Sequence, residues 1–491
     1  MMKKKRNYIA LKNKEEQLSN LEFNIKKNAK EWVRQNEGYK IHSKDTYQSP
    51  RISSEIPDCS MPLTFDHYNF CSLSCLYCFA YFFKSNNPAI KDHSLKAVDP
   101  NKIIKALEGN PKNKRGELLY KHFFSKEFLI HWGGMADPFC NFEKVNKIGY
   151  PIMEALGDLN YPCLFSFKGP SIRNSEYLKL FDKYKKQSNF AFQISIITNS
   201  DKMSKNIEIG VPPTSKRIET LKILSDMGYF TILRLRPFII GISDEGLEDL
   251  LHRSLEAGIQ GVSMEFFALD ARANIGMKER YSWLSKFMGI DDLMKYFKDL
   301  SPSERGGYMR LNRLIKEPFV KKVYKFCIKN NLVFGCSDPD FKELCTSGSC
   351  CGMPDYYPKN PKLENWTHNQ LTYHIKEMRK AYHKENGKKL ITLTFNDVYP
   401  INESTSYLED IELTNDHVAV TSMTNTERYH HSYRTILQKH WNNLNSPGNP
   451  RNYFHGKLMP FKLDEEGNLI YRYKEDEYEQ IWKEEGISLI K

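Results

Sequence analysis

The chain has 491 residues, of which 40% are hydrophobic and 13% aromatic, so it can bury a sizeable core and bulk disorder is excluded. Its formal net charge is +12, and residues 1–56 supply about half of it, with 13 Lys+Arg against 7 Asp+Glu. A basic balance suits an anionic partner such as nucleic acid, and it suits an ordinary lysine-rich surface equally well.

Neither the first residues nor the distribution of apolar residues indicates secretion or a membrane-spanning segment. The basic first residues are followed by no apolar stretch, so we expect no secretory signal. No uncharged apolar run reaches the ~18 residues that a bilayer span requires. We therefore expect a cytoplasmic protein without membrane contact, in which thiols stay reduced. Eleven cysteines in that compartment indicate metal or redox chemistry rather than a disulfide framework.

Residues 1–60 are predicted to be a basic N-terminal extension with a weak helical stripe at Glu15–Val33. From residue 61 to residue 335, short apolar runs alternate with amphipathic stretches. The predicted strands are Leu63–Asn69, Phe128–Trp132, Cys163–Phe167, Phe190–Ile197, Thr231–Leu235 and Val262–Phe267. The clearest predicted helices, each with the glycine expected to end it, are Glu143–Leu156 with Gly157, Ser215–Met227 with Gly228, and Glu245–Ala257 with Gly258.

Strand–helix alternation repeated about six times predicts βα units and an α/β fold with a parallel sheet. Right-handed crossovers curl such a sheet into a barrel or a partial barrel. Functional groups are then expected on the loops that follow the carboxyl ends of the strands.

From residue 270 onward, the predicted secondary structure differs from the strand–helix alternation. Residues 270–330 are predicted to be mainly helical, and a short strand at Leu332–Phe334 leads into a second cysteine group at 336–355. Residues 356–491 are predicted to form an α+β region. Its expected elements are a helix at Thr367–His383, a strand at Leu390–Thr394, and a hairpin with arms Leu458–Leu463 and Leu469–Tyr473.

The first cysteine group follows the first predicted strand and reads CSLSCLYC, with Cys71, Cys75 and Cys78 as metal ligands. Three thiolates on one loop can bind three irons of a 4Fe–4S cubane and leave the fourth iron open. The open iron can chelate the amino and carboxylate groups of S-adenosylmethionine (SAM). The alternative is a zinc site, which needs a fourth ligand such as His67.

This spacing resembles the signature of the radical SAM superfamily, and Tyr77 matches the aromatic residue that packs near the adenine there. The resemblance implies a 4Fe–4S cluster, SAM as cofactor and an electron donor of the flavodoxin or ferredoxin type. It also implies reductive cleavage of SAM to a 5′-deoxyadenosyl radical that abstracts a hydrogen atom.

Other strand ends supply further candidates for the SAM site. HWGGMADPF offers Gly133 and Gly134, whose backbone can approach a ligand closely. LRLRPFIIG offers an arginine for the SAM carboxylate. We favour Arg234, although Arg234 and Arg236 share one face of a strand and periodicity does not choose between them. The alternative for both arginines is an outward, solvated position.

In order, these motifs with FSFKGP and FQISIIT resemble the spore photoproduct lyase-like branch over residues 61–270. The resemblance implies a partial (β/α)6 barrel in which Lys168 and Ser195 help to hold SAM. The founding lyase of the branch repairs a thymine dimer in DNA and uses a cysteine as hydrogen-atom donor. Cys140 is the candidate donor here, and a small buried residue is the alternative. Glu265 is a further inward-facing candidate.

The second cysteine group reads CSDPDFKELCTSGSCCG, with ligand candidates Cys336, Cys345, Cys350 and Cys351. They are predicted to bind a second iron–sulfur cluster or a structural zinc. Because Cys350 and Cys351 are adjacent, both cannot easily bind one ion without local distortion. One of them is then expected to be free, with Cys327 or a non-cysteine group completing the site, and the alternative to a metal site is a set of scattered buried thiols. The lyase pattern does not require this group.

Three functions are consistent with these patterns. The first is a radical SAM enzyme for nucleic-acid repair or modification, favoured by the basic extension and by the basic, aromatic stretches Tyr429–Arg434 and Asn452–Lys457. The second is radical SAM modification of a peptide or protein, favoured by a second cluster. The third is a non-catalytic protein that binds a metal and DNA or RNA.

Overall fold

The computed structural model describes residues 41, 49–52, 61, 63–80, 95–272, 275–301, 304–305, 308–338, 340–354, 371–385, 387–399, 433–446, 449–453, 457–475 and 477–487. The predicted basic extension, with its stripe Glu15–Val33, lies almost entirely outside these residues, as do most of the two basic, aromatic stretches. Among the described helices, none has the length and apolarity needed to cross a membrane.

The strands and helices are numbered in chain order. The strands are β1 Arg51–Ile52, β2 Leu63–Phe65, β3 Ile130–Trp132, β4 Cys163–Phe167, β5 Phe190–Ser195, β6 Phe230–Phe238, β7 Gly261–Phe266, β8 Leu269–Asp270, β9 Glu304–Arg305, β10 Tyr308–Met309, β11 Val333–Cys336, β12 Thr392–Leu393, β13 Leu458–Leu463 and β14 Leu469–Tyr473. The helices are α1 Pro100–Leu107, α2 Lys114–His122, α3 Asn141–Asn146, α4 Gly149–Asp158, α5 Ser175–Tyr184, α6 Asp201–Ile207, α7 Thr214–Asp226, α8 Leu247–Glu256, α9 Ile275–Met288, α10 Leu293–Leu300, α11 Arg313–Lys329, α12 Leu371–Lys384, α13 Phe395–Val398, α14 Tyr433–Asn442, α15 Pro450–Tyr453 and α16 Glu477–Glu484.

The main sheet has the strand order β1-β2-β3-β4-β5-β6-β7-β11. β1 pairs antiparallel with β2, and the other seven strands are parallel to their neighbours. Helices follow most of these strands, as βα units require. The prediction of an α/β fold with a partial parallel barrel is therefore confirmed.

The outer face of the sheet is aromatic and packs against the helices. Phe165 and Phe192 stack across β4 and β5 with ring centroids 5.4 Å apart. Phe181 of α5 contacts both rings edge-on, at 5.8 Å and 5.0 Å. Edge-to-face pairs of this kind add to the free energy gained by burying the rings. This face is the main hydrophobic core of the barrel.

The inner face is apolar near the amino ends of the strands and polar above. The apolar floor consists of Leu129, Leu164, Ala191, Phe230 and Ile232, together with Met61, Cys351 and Met353. Two residues farther along their strands come polar side chains, and His131, Ser166 and Gln193 form one hydrogen-bonded row with both bonds at 2.7 Å. Strand alternation thus builds a dry floor beneath a polar lumen.

The chain from 349 to 353 crosses this lumen, and glycines make room for it. A Cβ atom on Gly335 would lie 2.5 Å from the Gly352 nitrogen and 2.7 Å from the Cys350 oxygen. A Cβ atom on Gly261 would lie 2.4 Å from the Gly352 oxygen. Only glycine therefore allows the segment to lie on the inner face of β7 and β11.

The six predicted barrel strands are confirmed, but one predicted helix is wrong. Glu143–Leu156 is two helices, α3 and α4, because Lys147 adopts a left-handed conformation with φ 49°. Gly157 also does not end a helix, since α4 runs through it. A Cβ atom there would lie 2.4 Å from the Tyr184 ring, so the glycine serves close packing. The helix-ending glycines Gly228 and Gly258 have φ of 88° and 86°, as expected.

Two small sheets complete the described fold. β8, β10 and β9 form one beside the barrel mouth, and β12, β14 and β13 form the other. The predicted hairpin Leu458–Leu463 and Leu469–Tyr473 is confirmed as β13 and β14. The predicted strand Leu390–Thr394 is shorter, at Thr392–Leu393, and the predicted helix Thr367–His383 is described from Leu371.

Candidate active site

The loop with the first cysteine group is fixed on the side of α6. The backbone N–H of Leu76 donates to the Ile207 carbonyl at 2.9 Å, and Cys75 pairs with Glu208 in an isolated antiparallel bridge. Cys71 and Cys78 are half-buried and Cys75 is buried. None of the three forms a disulfide. The loop therefore holds three thiols in a backbone that is already braced.

His67 is not placed to complete a zinc site with this loop, because both of its ring nitrogens have partners. Trp132 donates its indole N–H to Nδ1 at 3.0 Å. That nitrogen must then be unprotonated, so Nε2 carries the proton and donates it to Glu143 at 2.9 Å. The zinc alternative loses its fourth ligand.

Glu143 is the centre of a buried network under the cysteine loop. Its carboxylate accepts hydrogen bonds from five donors, namely His67 Nε2, the hydroxyls of Tyr68 and Tyr177, and the backbone N–H groups of Gly149 and Tyr150. Burial by itself raises the pKa of this carboxyl, but the surrounding donors outweigh it and leave the pKa lowered. The bonds to Gly149 and Tyr150 also start α4, which explains the helix break.

Glu208 is the centre of a second buried network, on the other side of the loop. Lys168 Nζ lies 3.1 Å from its Oε1 atom, and an Arg217 amino group lies 2.5 Å from Oε2. Tyr77 donates its hydroxyl to the same carboxylate, and Lys168 Nζ lies 2.6 Å from that hydroxyl. Burial opposes ionisation, but the two cations lower the pKa of Glu208 to about 2.

This network was not predicted from the sequence, although it holds two predicted residues, Tyr77 and Lys168. The signal was weak, because Glu208 is one acidic residue in the stretch NIEIG. Its flanking isoleucines are consistent with burial, and a carboxylate that is completely buried needs a charged partner. The network positions the Tyr77 ring directly beside Cys78.

Two thiols of the loop, those of Cys71 and Cys75, have raised pKa values. Burial raises the pKa of Cys75 to about 12, even though the charge of Lys168 opposes the rise. The pKa of Cys71 is also raised, by its hydrogen bond to Cys140 and by burial. Metal ions deprotonate the thiols that bind them. An all-thiol set on one braced loop fits an iron–sulfur cluster.

Cys140 lies beside the cysteine loop and is 0% exposed. Its thiol hydrogen-bonds with that of Cys71, and its carbonyl accepts from the Ser171 hydroxyl at 3.0 Å. The next residue, Asn141, donates its N–H to Ser72 at 2.8 Å. The structure thus brings Cys140 to the cysteine loop, where its thiol faces that of Cys71.

Gly133 and Gly134 lie where β3 ends, next to the loop. Gly133 has φ 106°, and a Cβ atom there would lie 2.1 Å from the Ser166 carbonyl. Asp66 fixes the following turn by accepting the N–H groups of Met135 and Ala136, both at 2.9 Å. Gly133 is therefore required by the packing of the strand ends, independently of any contact with a ligand.

Ser195, Arg234 and Arg236 face the lumen from β5 and β6. Arg234 donates to the Ser195 hydroxyl at 3.2 Å. Burial and the nearby charge of Arg236 lower the pKa of Arg234 to about 10. Arg236 donates to the Cys350 carbonyl and lies 3.9 Å from Glu265, which also faces the lumen. The alternative of an outward, solvated arginine pair is wrong.

The second cysteine group is divided between the two faces of β11. Cys336 and Cys345 lie on the outer face in the main core, where the Cys336 N–H donates to the Cys345 sulfur at 3.2 Å. Cys350 and Cys351 belong to the segment that crosses the inner face, and the Ser263 hydroxyl donates to the Cys350 carbonyl at 3.1 Å. In this arrangement the four sulfurs do not converge on one ion.

Within the described residues, three atoms suited to one metal ion lie within 4.8 Å of one another only at His383, Glu475 and Glu479. Lys483 and Lys457 already pair with these two carboxylates. The cysteine loop need not meet this criterion, since each thiolate of a cubane binds its own iron.

The chain thus forms a partial parallel barrel with three thiols on the loop after its first parallel strand and a polar lumen beside them. Residues 65–253 match the family model of the radical SAM superfamily, and this domain of the chain belongs to that superfamily. The chain is thus an enzyme of the radical SAM type, which confirms the superfamily predicted from CSLSCLYC.

Solved structures of two enzymes are similar at low identity. Spore photoproduct lyase complexed with dinucleoside spore photoproduct is 13% identical with a TM-score of 0.44, covering 60% of this chain and 80% of that one. SuiB from Streptococcus suis bound to S-adenosylmethionine is 14% identical with a TM-score of 0.34, covering 57% and 51%. At such values the substrates of these enzymes do not transfer to this chain. Comparison with the curated proteins finds no match.

Proposed function

We propose that this enzyme binds a 4Fe–4S cluster through Cys71, Cys75 and Cys78 and uses it to cleave SAM reductively for hydrogen-atom abstraction on a nucleic acid, in repair or modification. The bound cluster supplies the electron that splits the carbon–sulfur bond of SAM. The observation that carries the proposal is the braced loop with three thiols, none of them in a disulfide, at the mouth of a polar lumen. An electron donor of the flavodoxin or ferredoxin type would reduce the cluster.

The residues around the lumen have separate parts in holding SAM. Arg234, directed to the lumen beside Ser195, would pair with the SAM carboxylate. Lys168 and Glu208 fix the Tyr77 ring, against which the adenine would pack. Gly133 and Gly134 would let backbone approach the methionine end. Each assignment is supported by the position of the residue at the carboxyl ends of β2 to β6.

A nucleic-acid substrate is favoured by the charge on the far side of the lumen. Two arginines, Arg234 and Arg236, face one partly exposed carboxylate, Glu265. At the mouth, the guanidinium groups of Arg272 and Arg310 lie 5.7 Å and 5.8 Å from the Tyr308 ring centroid, and Arg272 is also paired with Asp270 at 3.0 Å. An edge that combines arginines with an aromatic ring suits phosphates and bases. The alternative substrate is a peptide or protein.

The decisive test is reconstitution with iron and sulfide under anaerobic conditions. Wild type should form 5′-deoxyadenosine with SAM and dithionite and carry about four irons per chain at this site. Cys75→Ala should lose that product and about four irons per chain, whereas Cys163→Ala, which removes a buried thiol on the outer face of β4, should keep both. Zinc in place of iron, or full iron content in Cys75→Ala, would refute the cluster assignment.

The substrate class needs its own assay. Binding of a fluorescent single-stranded oligonucleotide by wild type should weaken steeply with salt, since phosphate contacts release counterions. Tight binding of a peptide together with salt-independent or absent oligonucleotide binding would favour the alternative.

Cys140 is proposed as the hydrogen-atom donor, a role that requires its thiol to turn from Cys71 toward the lumen. Cys140→Ala should then leave the formation of 5′-deoxyadenosine intact and block completion of the substrate reaction. Loss of cluster iron in this variant would instead assign Cys140 to the support of the loop.

A second iron–sulfur cluster or a zinc at Cys336, Cys345, Cys350 and Cys351 is proposed as well. Since these thiols lie on two faces of β11, one ion would need the 349–353 segment to move or would use only some of them. Iron and zinc contents of wild type and Cys345→Ala decide this, and equal metal contents would refute the site.

A further inference from the structure

Arg280 reaches the cluster loop from outside the matched superfamily domain. It lies on α9, beyond residue 253, and its Nη1 atom donates to the Cys75 carbonyl at 3.0 Å. The two residues are 205 positions apart in the chain. The contact therefore gives the loop a brace that comes from outside the matched superfamily domain.

The core holds α9 in place. Met277, Leu284 and Phe287 are 1%, 0% and 0% exposed and belong to the main core. The neighbouring Tyr281 packs on Phe267 with ring centroids 6.1 Å apart, and its hydroxyl accepts the Asp270 N–H at 3.3 Å. Because the helix is anchored on both sides of Arg280, the half-buried guanidinium is held beside the loop.

The hydrogen bond places the charge of Arg280 at the backbone of Cys75, one of the three thiol residues of the loop. A charge held this close acts on whatever the Cys75 thiol binds.

We propose that Arg280 is a positioning residue that orients the Cys75 end of the loop and raises the reduction potential of the cluster. This inference rests on the proposed cluster at Cys71, Cys75 and Cys78. Reduction adds negative charge to the cluster, and a fixed positive charge nearby stabilises the reduced form more than the oxidised form.

The test uses the reconstituted full chain and the midpoint potential of its cluster, followed by electron paramagnetic resonance in a redox titration. At a fixed solution potential near the wild-type midpoint, Arg280→Gln should lower the ratio of reduced to oxidised cluster by roughly threefold to tenfold, the effect of one partly screened charge. Arg280→Lys should recover most of that loss because it restores the charge.

Lys278→Gln is the matched control, since Lys278 is an exposed cation two positions earlier on the same helix. It should leave the ratio unchanged, because water screens its charge. Clusters in Arg280→Gln that titrate at the wild-type potential would overturn the inference, whatever their number per chain. Failure of wild type to bind iron would instead overturn the proposed cluster itself.

Discussion

Replacement of Glu208 by glutamine should strongly destabilise the chain, because it leaves Lys168 and Arg217 buried without a counter-charge. The side chains of Glu208 and Arg217 are 0% and 2% exposed, so water cannot take over the role of the carboxylate. The pKa of Glu208 is lowered from 4.5 to about 2 in the folded chain. That difference corresponds to about 3 kcal/mol, in the range expected when one partner of a buried ion pair is removed.

The contribution of Glu208 also has a defined pH dependence. Its folded pKa lies below the unfolded value, so the stabilisation is complete above pH 4.5 and is lost as the pH falls from there through about 2. The difference in stability between wild type and Glu208→Gln should therefore be largest near pH 7 and shrink toward pH 2.

Urea denaturation followed by tryptophan fluorescence, at pH 7 and at pH 3, measures both effects. Glu219→Gln is the control, because Glu219 pairs with Arg173 and Lys216 at the surface and should cost little. The reasoning is refuted if Glu208→Gln and Glu219→Gln unfold at the same urea concentration at pH 7, or if the gap between wild type and Glu208→Gln widens in acid.

Three further substitutions test other parts of the fold by the same urea assay. Gly335→Ala should destabilise by about 1–3 kcal/mol, since its Cβ would overlap the Gly352 backbone, and unchanged stability would contradict the segment in the lumen. Lys316→Met should cost about 3–5 kcal/mol by leaving the buried Asp338 unpaired, and a neutral result would contradict that pairing. Tyr177→Phe should cost about 1.5–3 kcal/mol by removing one donor from the buried carboxylate of α3, and an upward shift in the urea midpoint would argue against that bond.

The sequence predicted those parts of the fold that depend on local pattern. β4 was predicted at its observed ends because four of its five residues are apolar and all five are buried, as in a central parallel strand. The β13–β14 hairpin was predicted because Gly467, with φ 80°, provides the turn that its arms need. The cysteine loop was recognised by spacing alone, which needs no knowledge of distant residues.

Features set by distant partners could not be predicted in this way. The break between α3 and α4 depends on a carboxylate whose other donors, such as His67 and Tyr177, come from separate elements. The sequence around Glu208 does not distinguish it from a surface residue, because Arg217 and Lys168, which pair with it in the fold, come from other elements. The division of the second cysteine group depends on Gly261 and Gly335, which leave room for the 349–353 segment in the lumen, and no spacing of cysteines indicates this.

The three braces of the cysteine loop imply that the loop takes its metal-ready shape before any metal binds. Glu208 and its cations hold the Tyr77 side, the Glu143 network holds the strand that leads into the loop, and Arg280 holds the Cys75 carbonyl. When the loop is already ordered, little of the free energy of metal binding is used to fold it. Small domains that fold only with their metal differ in this respect. The opposing cost is that the buried thiols must lose protons, as the pKa of Cys75 near 12 indicates. Uptake of the proposed cluster should therefore depend steeply on pH, whereas the barrel should stay folded when no iron is bound.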